Sequence, residues 1–249
     1  MIEARNITKK FRDKTILSDF SFTFERGKTN LIIGQSGSGK TVLLKCLVGL
    51  HDIDSGEVLY ENQDFFKLDF AGKKNIRRQI GMLFQGGALF DSMTVEENVI
   101  FPLSMFTDMT KEECLDRANF CLNRVNLVNT NKLFPSEISG GMKKRVAIAR
   151  AISTQPNYLF CDEPNSGLDP KTSIVIDNLI KELTEEFNMT TVVITHDMNS
   201  VIEIGDKIAF IFEGKKRWEG TRTEILSAED PELVNFVYAS KFMMELRKK

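Results

Sequence analysis

The sequence predicts an α/β fold with a mainly parallel core sheet, an N-terminal antiparallel β part and an inserted helical subdomain. Three features predict it. Short apolar runs recur at residues 29–33, 80–84, 158–161, 191–195 and 207–212, each the length of a buried strand. Helical stretches separate several of these runs, the alternation that builds parallel sheets with right-handed crossovers. Residues 92–154 break the alternation, because helix formers dominate them.

Along the chain, Phe20, Phe22 and Phe24 alternate with Ser21 and Thr23, as in a half-buried strand. Gly27 and Lys28 make a turn, and the run 29–33 leads straight into a glycine-rich loop. Residues 40–50 read as a helix whose apolar face carries Val42, Leu43, Leu44, Leu47 and Val48. Strand resumes at 56–60 and again at 80–84. Thr94 followed by Glu97 has the spacing of a helix-capping box and opens the helical stretch. A helix over about 170–187 separates the runs 158–161 and 191–195, and residues 213–215 read as a hairpin turn. From residue 227 the composition is helical, and the tail is rich in apolar side chains: Phe236, Val237, Tyr238, Phe242, Met243, Met244 and Leu246.

Bulk composition narrows the function classes. The 249 residues are 42% hydrophobic and 27% charged, ordinary for a globular protein. A net charge of -2 gives no basic field for nucleic acid, so no nucleic-acid partner is expected. The four cysteines, Cys46, Cys114, Cys121 and Cys161, form no CxxC pair, and Cys46 and Cys161 sit in apolar runs as core residues do. A reducing, cytoplasmic setting fits them. The start of the chain has no apolar signal region, and no stretch reaches the ~18 apolar residues a bilayer span needs. Any link to a membrane is therefore expected to run through a partner.

The chemistry begins with Gly34, Gln35, Ser36, Gly37, Ser38, Gly39, Lys40 and Thr41, a full match to G-x-x-x-x-G-K-[ST] between a predicted strand and a predicted helix. Glycines let backbone N–H groups converge on phosphate oxygens, and the helix N-terminus adds partial positive charge. Lys40 would meet the β- and γ-phosphates of ATP, and the Thr41 hydroxyl would ligate Mg2+. Alone, the pattern predicts a P-loop that binds a nucleoside triphosphate. Further on, the apolar run from Tyr158 ends in Asp162 and Glu163. Adjacent carboxylates at the end of a buried strand must be paired or bound to metal, and α/β sheets bind ligands at that end. Asp162 suits Mg2+, and Glu163 suits orientation or deprotonation of an attacking water. Ser139, Gly140 and Gly141 precede a strongly helical run over residues 143–153 and offer a second anion-binding start, although one ATP needs only one phosphate cradle.

With these elements in this order, the chain closely resembles the ATP-binding cassette family. The Ser139-Gly140-Gly141 helix start looks like the family signature. Gln85 resembles the glutamine that senses Mg2+ and the attacking water. Ser166 to Asp169 resembles the loop that crosses to a partner subunit, with Asp169 in the nucleotide-contacting set. His196 resembles the histidine that contacts the γ-phosphate, Phe11 the aromatic that stacks on adenine, and Val42 extends the nucleotide contacts of the phosphate loop. The resemblance implies a RecA-like core over 1–91 and 155–226, a helical subdomain over 92–154, and a C-terminal helical extension over 227–249. It also implies a head-to-tail dimer holding two ATPs, each on one subunit's phosphate loop and under the other's signature serine. Ile138 and Met142 depart from the commoner Leu and Gln; Ile138 conserves volume, and Met142 removes an amide near the closed interface.

Gln85-Gly86-Gly87, the run Ala88 to Asp91, and Met142 together resemble MlaF-type ATPases of bacterial phospholipid transport. That resemblance implies an MlaE-like membrane permease, an MlaD-like MCE-domain protein, an MlaB-like STAS-domain protein in some systems, and a position on the cytoplasmic face of the inner membrane. Leu89, Phe90, Met93, Phe101 and Leu103 are candidates for an apolar groove that receives a permease helix, or for packing inside the helical subdomain. The apolar tail is expected to dock on a neighbouring subunit or to pack on its own core.

Overall fold

The computed structural model of the chain describes residues 1–239. In chain order, β1 (Ile2–Phe11) and β2 (Lys14–Phe24) form a hairpin, and β3 (Lys28–Ile33) leads through the phosphate loop into α1 (Lys40–Leu47). Next come β4 (Ser55–Tyr60), β5 (Gln63–Asp64), α2 (Phe70–Arg78) and β6 (Ile80–Leu83). Three helices follow without a strand between them: α3 (Val95–Phe106), α4 (Lys111–Arg124) and α5 (Gly140–Ile152). The chain then alternates through β7 (Tyr158–Asp162), α6 (Pro170–Glu186), β8 (Thr190–Thr195), α7 (Met198–Ile204), β9 (Lys207–Phe212), β10 (Lys215–Gly220) and α8 (Pro231–Val237).

The strands make two sheets. One is four-stranded and antiparallel, in the order β2-β1-β4-β5. The other is six-stranded, in the order β10-β9-β3-β8-β7-β6, and is parallel except for the β9–β10 hairpin. Every residue of β7 and of β8 is buried, as expected for parallel strands covered on both faces. Side-chain alternation divides them between two cores. Leu31, Ile33, Leu159, Cys161 and Val193 pack with the helical subdomain, α6 and α8, whereas Ile32, Phe160, Val192 and Ile194 pack with α1 and the antiparallel sheet. All four cysteines are buried free thiols.

Register positions the site. In the parallel pairing Ile33 lies beside Thr195, and Asp162 lies beside Ile194. The strands therefore finish level, and the phosphate loop, Glu163 and His196 emerge together at one sheet edge.

The helical subdomain is held by local capping and an apolar seam. The Thr94 hydroxyl accepts from the Glu97 N–H at 3.3 Å, and Glu97 accepts from the Thr94 N–H at 2.7 Å. Thr110 and Glu113 repeat the device at α4. Val95, Val99, Ala118, Cys121, Leu122 and Val146 fill the seam between α3, α4 and α5.

Several sequence expectations shift in detail. The first helix ends at Leu47, because Gly49 adopts φ 71° and terminates it; the helix after the signature motif begins earlier, at Gly140. Of the candidate groove residues, Leu103 is fully buried and Leu89 packs partly against the core, whereas Phe90 and Phe101 line a surface groove. In the tail, Leu233, Val237 and Tyr238 pack on the chain's own core, Phe236 lies 5.5 Å from Phe210, and the Tyr238 hydroxyl donates to the Leu226 carbonyl at 2.8 Å. Phe242, Met243, Met244 and Leu246 lie outside the described residues. Among the described residues, no helix is long and apolar enough to cross a membrane.

Candidate functional site

A cavity of about 760 Å³ opens over the phosphate loop and is lined by Gln35, Ser36, Gly37, Gly39, Lys40, Thr41, Val42, Gln85, Glu163 and His196. The loop takes its shape from three glycines with positive φ: Gly34 at 151°, Gly37 at 80° and Gly39 at 106°. Gly34 is the most constrained, because a Cβ there would sit 2.3 Å from the Ile211 carbonyl oxygen. Gly39 is the N-cap of α1 and supplies no capping side chain, so the first N–H groups of the helix stay available to an anion. The Lys40 ammonium folds back over the loop, donating to the Gly34 carbonyl at 2.8 Å and the Gln35 carbonyl at 3.0 Å. Burial lowers the Lys40 pKa, and the carboxylates of Glu163 and Asp162 oppose that shift.

The acids follow from strand geometry. Asp162 ends β7 as a buried residue, and the Thr41 hydroxyl donates to its Oδ1 at 3.4 Å. Burial raises the Asp162 pKa, the neighbouring Glu163 adds to the rise, and Thr41, Lys45 and Lys40 counter it. Glu163 then turns the chain with φ 48°, a left-handed conformation uncommon for a non-glycine residue. The turn brings its carboxylate to His196, whose Nδ1 lies 2.9 Å from both oxygens. Gln85 Nε2 donates to the Ser166 hydroxyl at 3.3 Å. The arrangement combines a polyphosphate cradle, a hydroxyl–carboxylate pair with hard oxygen donors, and a carboxylate–imidazole pair facing the same space.

Other sequence candidates lie elsewhere. Ser139, Gly140, Gly141 and Asp169 are not among the residues lining this cavity. Ser139 is the N-cap of α5, accepting from the Met142 N–H at 3.3 Å, and Asp169 is the N-cap of α6, accepting from the N–H groups of Lys171 and Thr172 at 3.1 Å. Phe11 also stands outside the lining; it is 41% exposed, with its ring centroid 5.3 Å from that of His51.

Sequence reasoning missed several contributors. Ile16 lines the cavity from β2, and Asn235, Phe236 and Ala239 line it from the C-terminal segment. Lys144, nearly buried, donates to the Gln85 carbonyl, while Arg150 donates to the carbonyls of Gly87 and Ala88 at 2.7 Å each. These cations hold the segment after β6 against α5. Their only sequence signal was a basic residue on an otherwise apolar helical face.

The ABC transporter family model matches residues 17–166. The chain belongs to the ABC transporter family. It is an ATP-binding, ATP-hydrolysing subunit of that family. It is 38% identical over 237 residues to the intermembrane phospholipid transport system ATP-binding protein MlaF of Haemophilus influenzae, covering 95% of this chain and 90% of that one. It is 40% identical to the methionine import ATP-binding protein MetN of Rhizobium johnstonii over 88% of this chain, and spans 60% of that relative's length. Against the probable ribonucleotide transport ATP-binding protein mkl of Mycobacterium leprae the identity is 34%, over 95% of this chain and 68% of that one. Among solved ABC structures, the dimeric post-hydrolysis state of the cassette MJ0796 bound to ADP and Pi superposes with a TM-score of 0.81 at 34% identity, covering 89% of this chain and 99% of that chain. The cbiO1 subunit of Clostridium perfringens, part of the ABC transporter complex cbiONQ, superposes with a TM-score of 0.85 at 26% identity, covering 100% of this chain and 98% of that chain.

Proposed function

We propose that two copies of this ABC ATPase close head to tail around two ATPs and drive a membrane permease in phospholipid transport. The observation that carries the dimer is the composition of the cavity. It holds the phosphate loop, Glu163 and His196, while the signature residues Ser139, Gly140 and Gly141, and Asp169, lie outside it. A second chain would supply them, with the bare amides and the hydroxyl at the α5 N-terminus meeting the γ-phosphate. The solved dimer of the MJ0796 cassette supports this reading.

In the closed state Lys40 and the loop amides bind the phosphates, and Phe11 stacks on the adenine. Glu163 orients and deprotonates the attacking water, and His196 holds the γ-phosphate while fixing the Glu163 carboxylate. Thr41, Asp162 and Gln85 offer hydroxyl, carboxylate and amide oxygens, a donor set that fits Mg2+, and the raised pKa of the buried Asp162 marks charge that a cation would relieve. When bound, Mg2+ neutralises charge developing on the phosphate oxygens.

Phospholipid transport rests on the similarity to the Haemophilus MlaF, which extends over 90% of that protein. The predicted partners are an MlaE-like permease and an MlaD-like MCE-domain protein, with an MlaB-like STAS-domain protein in some systems, and this chain on the cytoplasmic face of the inner membrane. The apolar groove containing Phe90 and Phe101 is the proposed seat of the permease helix. The domain division at residues 92–154 and 227–249 belongs to the same reading. The 40% identity to a methionine import protein favours a second reading, solute import.

The test is Glu163→Gln with Mg-ATP. Light scattering should give a dimer mass and turnover should fall by at least about a hundredfold. A strictly monomeric, ATP-loaded Glu163→Gln would exclude the sandwich. Purification with the bound membrane subunit, followed by lipid analysis, separates the two transport readings.

A further inference from the structure

A ring that stacks on a base costs least to use when its plane is fixed before the base arrives. Phe11 stands at the end of β1, in the hairpin whose second strand carries Ile16, a wall residue of the nucleotide cavity. The Phe11 ring is exposed and belongs to neither core, so core packing does not hold it. His51 and Lys9 meet it instead. The His51 ring lies 5.3 Å away, centroid to centroid, with the two planes at 77°, and the Lys9 ammonium stands over the Phe11 ring, 5.2 Å from its centroid. Lys9 is two positions before Phe11, so strand alternation puts both on one face. His51 comes from a different part of the chain.

The loop that carries His51 is tied at both ends. After Gly49 ends α1, the N–H groups of Leu50 and His51 both donate to the Lys45 carbonyl, at 2.8 and 3.1 Å. At the other end the Asp54 N–H donates to the Thr8 carbonyl at 2.9 Å. The β1–β4 ladder stops where Thr8 pairs with Ser55, and Asp54 carries the contact further with its side chain. Its Oδ2 accepts from the Lys10 N–H at 2.6 Å and lies 3.4 Å from the Lys9 ammonium. An exposed ion pair of this kind contributes little stability, so what Asp54 supplies is geometry. Helix α1 begins with Lys40 and Thr41. The loop therefore runs from the helix that cradles phosphate to the strand that carries Phe11, with His51 between the two ties and against the ring.

We propose that His51 is a positioning residue for nucleotide binding: its ring braces Phe11 and sets where the stacking face stands relative to the phosphate loop. His51 is not among the residues lining the cavity, so it acts through Phe11. The brace serves the base end of the ligand and leaves the phosphate end untouched. This inference rests on the reading of Phe11 as the residue that stacks on adenine.

The experiment compares wild type, His51→Ala, His51→Phe, Phe11→Ala and the double variant His51→Ala with Phe11→Ala, all in the full chain. Calorimetry gives the affinities for Mg-ADP and for Mg-tripolyphosphate, which has no base, and steady-state ATP hydrolysis gives kcat and KM. His51→Ala should weaken ADP binding about threefold to tenfold, the range an edge-to-face aromatic contact supports, and leave tripolyphosphate within about twofold. KM for ATP should rise with kcat unchanged, the pattern of lost uniform binding. His51→Phe, which keeps a ring, should bring ADP affinity back to within about twofold of wild type. In the double variant the losses should not add, because Phe11→Ala has already removed what His51 braces. Wild-type ADP affinity in His51→Ala, an equal loss for tripolyphosphate, or additive losses in the double variant each overturns the brace. If Phe11→Ala also binds ADP as wild type does, the stacking assignment falls with it; if Phe11→Ala alone loses ADP affinity, the brace falls and the stack stands.

Discussion

Asp177→Asn should remove a pH-dependent cost from the folded protein. Burial raises the Asp177 pKa from 3.8 to about 6. Below the lower value both folded and unfolded chains hold the proton, and the residue contributes nothing to pH dependence. Between the two values the folded chain keeps a proton that the unfolded chain releases, so stability falls as pH rises. Above about 6 the fall is complete, and the size of the shift sets it at about 3 kcal/mol. Asp177 is almost wholly buried, so solvent screening does little to reduce this figure. The direction is opposite to that of a salt-bridged carboxylate. The assay is urea unfolding of wild type and Asp177→Asn at pH 4.5, 6 and 7.5, where titrations common to both proteins cancel in the difference. The variant should gain on wild type as pH rises, by most of that amount across the series. A difference constant with pH would show that the buried carboxyl ionises at its ordinary value, and would refute the reasoning.

Lys40→Ala should abolish binding of a fluorescent ATP analogue with little change in melting temperature, because among the described residues the ammonium bonds only to loop carbonyls. Gly34→Ala should destabilise the fold by about 2 kcal/mol or more and weaken nucleotide binding, since its Cβ would collide with the Ile211 carbonyl; thermal unfolding and nucleotide titration check both. Thr94→Ala removes the cap of α3 and should cost about 1 kcal/mol in urea unfolding while leaving ATP affinity unchanged.

The parts of this fold legible in the sequence were those fixed by local chemistry. The fully buried β7 and β8 showed as continuous apolar runs, and the Thr94 cap showed as its residue pair. The phosphate loop was readable because its glycines answer a backbone requirement that few other residues meet. What escaped were elements whose signal is weak or non-local. Helix α2 is polar on most positions, with only Ile76 buried, so no strong period marked it. Helix α7 has only seven residues, too few to establish one. The cavity wall made by Asn235, Phe236 and Ala239 arises from tertiary packing of a distant segment, with Phe236 against Phe210 of β9. Asp177 was invisible for a related reason: an acid on a helix normally marks the solvent face, and only the packing of α6 against α7 turns it inward.

The same distinction explains why, on the proposed reading, the site within one chain is incomplete. Level strand ends bring Lys40, Asp162, Glu163 and His196 together, so that half follows from register and would form in any isolated copy. Ser139 and Asp169 are fixed as helix caps on α5 and α6, where their side chains already accept backbone hydrogen bonds. Ser139, placed by its own helix, needs no ligand to order it. In the proposed dimer it would present a preformed helix start to a neighbour, and two preorganised half-sites would lose little conformational entropy on meeting, so ATP would need to supply only the attraction between them.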